Sequence, residues 1–224
     1  MCGRFVQNAL FSVVAREFNL RSTEVDLPPR YNIAPTQEVA AVINDDGNRL
    51  VMCRWGLVPP WADDLSIGSR MINARAETLS EKRSFKEAFR KRRCLVIGTG
   101  FYEWKKAGKR KVPVFIRVKD QNTFGFAGLY SDWRSPEGVT IRTCTIITTE
   151  ANDLLRPIHD RMPVILYSRA RDHWLDPRVQ HPQRLKPLLV PYDPDRMEAW
   201  QVSTRVNTPA HDGPELIEPV FDSN

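Results

Sequence analysis

An α+β fold with a mostly antiparallel, barrel-like β-sheet core and several short flanking helices is predicted by three features of the 224-residue sequence. Apolar, β-prone segments follow one another with only a few residues between them. Parallel neighbours need a crossover of about a dozen residues or more, so such segments pair antiparallel. The gaps carry turn chemistry, at Asp45-Asp46-Gly47-Asn48, Ala107-Gly108, Asp120-Gln121-Asn122 and Ser135-Pro136-Glu137-Gly138. The 17 prolines are spread along the whole chain, which favours many short elements over a few long ones.

Taken in order, Asn8 is placed to cap a first helix whose apolar positions Leu10, Val13, Val14 and Phe18 share one face. Glu38 to Ile43 and Arg49 to Trp55 read as strands around the first turn. Ser84 and Glu87 have capping-box spacing ahead of Phe85, Ala88 and Phe89, predicting a second helix that runs to about Arg93. Strands are expected at Cys94 to Thr99, Val112 to Val118, Phe124 to Tyr130 and Val139 to Thr148. Short helices are expected at Glu150 to Leu155 and Ser168 to Leu175, with one more strand at Met162 to Leu166. The sequence holds no internal repeat, low-complexity tract or linker, so residues 1–224 are expected to form one domain.

Composition narrows the function classes. Apolar residues at 42% and aromatics at 9% belong to a folded protein rather than a disordered tail. No apolar run approaches the ~20 residues of a membrane span, and Met1-Cys2-Gly3-Arg4-Phe5 has no signal pattern. Cytoplasm is the default compartment, or the nucleus in a nucleated source, and no membrane partner is expected. Cys2, Cys53, Cys94 and Cys144 form no close pair, so neither a metal centre nor a disulfide framework is predicted. No cofactor is called for. Cys53, Cys94 and Cys144 sit in apolar stretches that predict buried, inert thiols; Cys2 is the exception. A net charge of +6 is compatible with nucleic acid. The runs Arg90 to Arg93 and Lys105, Lys106, Lys109, Arg110 and Lys111 read, taken alone, as solvated faces.

Cys2 becomes the terminal residue if Met1 is removed, and then presents an amine and a thiol on neighbouring carbons. In short peptides these groups titrate at roughly 7.7 to 8.0 and about 8.5, so both are partly deprotonated near neutrality. The amine can add to an aldehyde as a Schiff base, and the thiol can close a five-membered thiazolidine with the high effective molarity of an intramolecular step. Position 2 also simply tolerates any small residue. Glu103, in Gly100-Phe101-Tyr102-Glu103-Trp104, is a carboxylate among aromatics, where desolvation raises the pKa and suits a group to proton transfer near pH 7. It equally suits a strand-edge partner for Lys105 or Arg75. His159 is one of four histidines and is either a proton-transfer group or a structural one. Alternation over Ile72 to Thr78 puts Asn73, Arg75 and Glu77 on one side, where Asn73 can hold a substrate hydroxyl or the Cys2 amine, or brace a loop. Trp55, Trp61 and Pro59-Pro60 form an aromatic and proline cluster able to stack on bases, with a core role favoured for Trp55.

Eight segments in order strengthen these readings. They are Met1 to Phe5, Arg30 to Thr36, Trp55 to Pro59, Asn73 to Thr78, Gly100 to Trp104, Ile158 to Pro163, Val202 to Asn207 and Glu215 to Pro219. Together they make the chain resemble the SOS response-associated peptidase family, the abasic-site processing proteins. The resemblance implies a covalent thiazolidine between the N-terminal cysteine and the ring-opened sugar of an abasic site in single-stranded DNA. It implies Cys2 as nucleophile, Asn73 as the group positioning its amine, Glu103 as the acid/base and His159 as the histidine that helps open the sugar. By the same matching Arg4, Arg75, Thr148 and Arg161 contact phosphates, and Pro35 and Trp61 lie against bases; a second aromatic carried by some members is Ala62 here. Self-removal of Met1, or its removal by an aminopeptidase, is the peptidase act implied, and a monomer is expected. A non-catalytic single-strand binding module and a cysteine peptidase using Cys2 and His159 are the alternatives.

Overall fold

The structure is a computed structural model and describes residues 2–21, 26–119 and 121–220. Five strands close into a barrel: β3 (Glu38–Asn44), β4 (Asn48–Trp55), β6 (Arg93–Gly98), β9 (Phe124–Arg134) and β10 (Thr140–Glu150). The ring runs β4-β3-β6-β9-β10, and β10 returns to β4 in parallel. Three short strands attach to it: β5 (Asn73–Arg75), parallel to β10, then β11 (Arg161–Pro163) and β12 (Ile165–Leu166). A second, five-stranded sheet is ordered β13-β8-β7-β1-β2, from β1 (Phe5–Gln7), β2 (Arg30–Ile33), β7 (Gly100–Ala107), β8 (Arg110–Val118) and β13 (Met197–Gln201). The fold is thus α+β and mostly antiparallel. Its parallel pairs join strands separated by long stretches of chain, as parallel pairing requires.

Strand alternation sorts the core into layers. Val39, Ala41, Cys53, Trp55, Val96, Phe126 and Ile146 point into the barrel and continue into Phe5, Phe101 and Ile116 of the second sheet. Cys53, Cys94 and Cys144 meet inside the barrel; all three are buried, as their apolar contexts predicted. The other faces of the same strands pack beneath α1 (Phe11–Glu17), α2 (Arg83–Lys91) and α3 (Ser168–Leu175). Arg93, only 4% exposed, ties two of these helices to β6. Its guanidinium donates to the carbonyls of Phe89, Arg90, Trp174 and Asp176, satisfying the last turn of α2.

Several sequence expectations shift. α1 starts after Leu10 with no side-chain cap, because Gln7 donates to the Ala9 carbonyl and the chain stays extended past Asn8. Leu10 is consequently exposed. In α2 the N-cap is Lys82, so Ser84 falls inside the helix and no capping box forms; Glu87 pairs with Lys91 at 3.1 Å instead. The helix expected at Glu150 to Leu155 is absent. β10 continues to Glu150, paired with Arg161, and Asn152 Oδ1 accepts from the Leu155 N–H to shape a turn. Sheet pairing overrode local propensity there. The strand expected at Met162 to Leu166 breaks in two at Val164, and the α3 bounds match the expectation. Asp120 of the expected third turn lies outside the described residues.

Gly56 and Gly68 carry a constraint that side chains cannot meet. Gly56 has φ +129°, and a Cβ there would stand 2.6 Å from the Gly68 carbonyl oxygen. The close approach folds the loop bearing Pro59, Pro60 and Trp61 onto the barrel. Gly56→Ala is expected to cost about 2 kcal/mol or more, lowering the melting midpoint by about 5 °C. Gly108→Ala, at φ +60° with open space around it, is the control and should cost about 1 kcal/mol. Equal losses in thermal melts would show that the backbone approach contributes nothing.

Candidate functional site

The N-terminal segment builds the site. β1 lies between β2 and β7, with Phe5 opposite Ile33 on one side and Phe101 on the other. The Tyr102 N–H donates to the Arg4 carbonyl at 2.9 Å, continuing the pairing toward Glu103. Cys2 is thereby held fully buried as a member of the core cluster that also contains Phe5, Phe101 and Ile146. It is no more exposed than the other three cysteines, contrary to its being set apart as an exception. Burial pushes the Cys2 thiol well above the usual range, and the Glu103 carboxylate beside it pushes further. The thiol is therefore held protonated.

Glu103 is 2% exposed on β7. Desolvation raises its pKa, against a lowering influence from nearby His159. His159 ends the turn after β10, its N–H donating to the Leu155 carbonyl at 2.8 Å. Its Nδ1 lies 3.0 Å from the Arg161 N–H and 2.9 Å from Asp160 Oδ1. A neutral ring accepts from Arg161 through Nδ1 and carries its proton on Nε2; a protonated ring turns the Nδ1–H to Asp160. Glu103 and His159 share a cleft of about 410 Å³ with Trp104, Lys106, Lys111 and Asn207. The Asn207 wall is fixed from a distance. Asn32 donates to the carbonyls of Val206, Thr208 and His211, and Asn207 Oδ1 accepts from Trp104 Nε1 at 2.7 Å.

Asn73 stands on β5 opposite Ile146, whose side chain belongs to the Cys2 cluster. Its Nδ2 donates to the Ile72 carbonyl, while Oδ1 is buried with no hydrogen-bond partner among the described residues. Among those residues no hydrogen bond joins it to Cys2. A second group gathers along β5, β10 and β11. Arg75 is exposed opposite Thr148, and Arg161 donates to both oxygens of Glu77, at 2.7 and 3.0 Å, and to the Thr148 carbonyl. Hydrogen bonding from Arg161 holds the Glu77 carboxyl below its ordinary range. Thr148 is fully buried and presents no surface of its own. Arg4 is spent on Asn32 Oδ1 and the Val206 carbonyl, at 2.7 and 2.6 Å. Pro35 occupies the turn between β2 and β3. Trp61 is 45% exposed under the Arg83 guanidinium, 4.5 Å from its ring centre. Lys106, Lys111 and Asn207 were not singled out as site residues by sequence; the register of the β7–β8 hairpin is what puts the two lysines in the cleft.

Among the described residues no group of three or more His, Cys, Asp or Glu side chains gathers as a metal site, and no helix is long and apolar enough to cross a membrane.

A closed barrel joined to a buried cysteine near a desolvated carboxyl, which in turn shares a cleft with an imidazole, defines the class. The profile described as SOS response associated peptidase (SRAP) matches residues 1–209, and the chain belongs to that family. It is 50% identical over 222 residues to the abasic site processing protein YoqW of Bacillus subtilis, covering 97% of this chain and 99% of that one. It is 31% identical to the abasic site processing protein YedK of Escherichia coli, covering 98% and 100%. HMCES of Gallus gallus, of the same description, is 32% identical over 86% of this chain and 66% of its own. A solved structure from Bacteroides thetaiotaomicron is similar with a TM-score of 0.89, 30% identity and coverage of 98% and 100%.

The raised pKa of Glu103 has a stability consequence of definite sign. The folded state holds the proton more tightly than the unfolded chain, whose value is about 4.3. That extra stability is complete below the unfolded value and is lost as pH rises through the folded one. Glu103→Gln escapes the loss. The variant should therefore match wild type near pH 4 and exceed it in urea midpoint at neutral pH. Parallel midpoint profiles for the two proteins would refute the desolvated carboxyl.

Proposed function

We propose that the protein binds single-stranded DNA at abasic sites and, once Met1 is removed, links Cys2 covalently to the ring-opened sugar. The observation that carries this reading is that Glu103, which shares a cleft with His159, lies within electrostatic reach of the buried Cys2, in a chain whose relatives are named for abasic site processing. The Glu103 carboxyl, its pKa raised by desolvation, and the His159 imidazole move the protons that open the cyclic hemiacetal to its aldehyde. The Cys2 amine adds to the carbonyl carbon, and loss of one water gives the imine. The thiol sulfur then adds to the imine carbon while its proton passes to the nitrogen, which closes the thiazolidine. Asn73 Oδ1, buried without a partner, suits the amine hydrogens. The exposed Arg75 supplies phosphate attraction, with Arg161 on the neighbouring β11 and Pro35 and Trp61 as apolar contacts for bases. The linkage shields the lesion as a stoichiometric trap. Release of Met1, by the protein itself or by an aminopeptidase, arms it.

Protein of confirmed intact mass, lacking one methionine, is incubated with a single-stranded oligonucleotide bearing one abasic site. A denaturant-resistant band is expected for wild type. Cys2→Ala keeps an amine, so it should give a band only after borohydride reduction of the imine; an equal band without reductant would rule out the sulfur. Loss of Glu103 in the Gln variant should slow band formation about a hundredfold or more.

A further inference from the structure

The hairpin between β7 and β8 projects five cations, Lys105, Lys106, Lys109, Arg110 and Lys111, within seven residues, and all five are exposed. The sequence offers them no local acid: after Glu103 the next acidic residue is Asp120. Among the described residues none of the five forms an ion pair. Gly108 at φ +60° turns the hairpin tightly, so that Ala107 faces Arg110 and Lys106 faces Lys111 directly. Like charges opposite one another on a ladder destabilise it. A single lysine is enough to guard a sheet edge, so an opposed pair needs another reason. Lys106 and Lys111 also line the same cleft as Glu103 and His159, which places their charge against whatever occupies that cleft.

We propose that the β7–β8 hairpin is a phosphate-binding arm that holds the DNA backbone on one flank of the lesion. This rests on the proposed function, and it adds a direction to it. Strand rise is about 3.4 Å per residue, so Lys106 lies about 10 Å along β7 from Glu103 and the hairpin tip about 15 Å. Nucleotide spacing of about 3.4 Å per strand or more puts the bound phosphates about two to four nucleotides from the sugar at the reaction centre. A phosphate between Lys106 and Lys111 relieves their repulsion, so the arm is stabilised by the ligand it grips. Only one flank of the strand can follow the hairpin, which makes the footprint asymmetric about the lesion.

The test uses full-length protein and oligonucleotides carrying an aldehyde-free tetrahydrofuran abasic analogue, with binding followed by fluorescence anisotropy across a salt series. One DNA extends on both sides of the analogue; two others are cut back to one nucleotide on the 5′ or the 3′ side. The doubly substituted variant Lys106→Gln, Lys111→Gln should bind the long DNA at least tenfold more weakly at low salt. Its plot of log affinity against log salt should be shallower by about 1.4, two contacts at about 0.7 each. Wild type should lose affinity on only one of the two shortened DNAs, and the variant should gain nothing from restoring that flank. Lys82→Gln, Lys86→Gln removes the same charge from the α2 region and should leave the slope nearly as in wild type. The arm is refuted if the hairpin variant keeps wild-type affinity and slope, the lysines then only guarding the strand edge. It is refuted too if the α2 control loses as much, or if both shortened DNAs behave alike. Because the analogue has no aldehyde, a failure of Cys2 crosslinking leaves these readings intact and is told apart from a failure of the arm.

Discussion

The packing of Phe5 against Trp55 and Phe126 is the constraint on which the site depends. The ring meets the two others edge-on, at centroid distances of 5.1 and 5.6 Å, and is fully buried. Such edge contacts add about 0.5 to 1.5 kcal/mol each to what burial supplies. Chain termini ordinarily fray unless a strand or helix docks them. Here a strand of three residues is bonded on both sides and pinned by one aromatic to the barrel interior. Residue 2, three positions upstream, inherits a defined, fully buried place in the same core cluster. Without that anchor the terminal amine would sweep a large volume, and Glu103 and His159 would have nothing fixed to act upon.

The central strands were legible because they alternate cleanly and end at recognisable turns; β3, β4, β6 and β8 begin and end within two residues of their predicted bounds. What escaped were β1, β2, β5 and β13, of three to five residues, which exist only because partners at distant sequence positions bond them, and the eight-residue β7, whose outer half is the lysine run read as a solvated face. Periodicity over three residues carries almost no information. The raised pKa of Glu103 was readable from its aromatic neighbours, as Phe101 and Tyr102 are indeed fully buried. Residue proximity was not. Nothing local to Cys2 tells that Glu103 acts upon it; that follows from β1 bonding to β7. The burial of the Cys2 thiol was likewise invisible, since Gly3 and Arg4 around it are not apolar.

The cations expected to meet phosphate come in different states of readiness. Arg4 is locked by two short hydrogen bonds and has its own pKa lowered by burial, so it holds β2 and the segment after β13 in place. Arg161 is bidentate to Glu77, and its charge is neutralised by a carboxylate that is half-exposed. A phosphate reaching Arg161 must displace that carboxylate, which returns to water at little cost because it is already solvated. Arg75 needs no such exchange. An anion arriving at this surface therefore meets an exposed Arg75 guanidinium and an Arg161 already engaged by Glu77.

The burial of Cys2 fixes an order on the proposed chemistry. A thiol held protonated by desolvation and by the Glu103 carboxylate is a poor nucleophile toward an aldehyde. A terminal amine, which ordinarily titrates at roughly 7.7 to 8.0, is available in its neutral form at physiological pH. Attack by nitrogen therefore comes first, and it changes the electrostatics of the site. Once the imine forms, its protonated nitrogen places a positive charge two bonds from the Cβ that carries sulfur, and that charge lowers the thiol pKa where Glu103 had raised it. The sulfur becomes reactive only after its target exists. Burial and Glu103 thus keep the thiol protonated in the resting protein, and the charge formed in the first proposed step offsets the influence of Glu103.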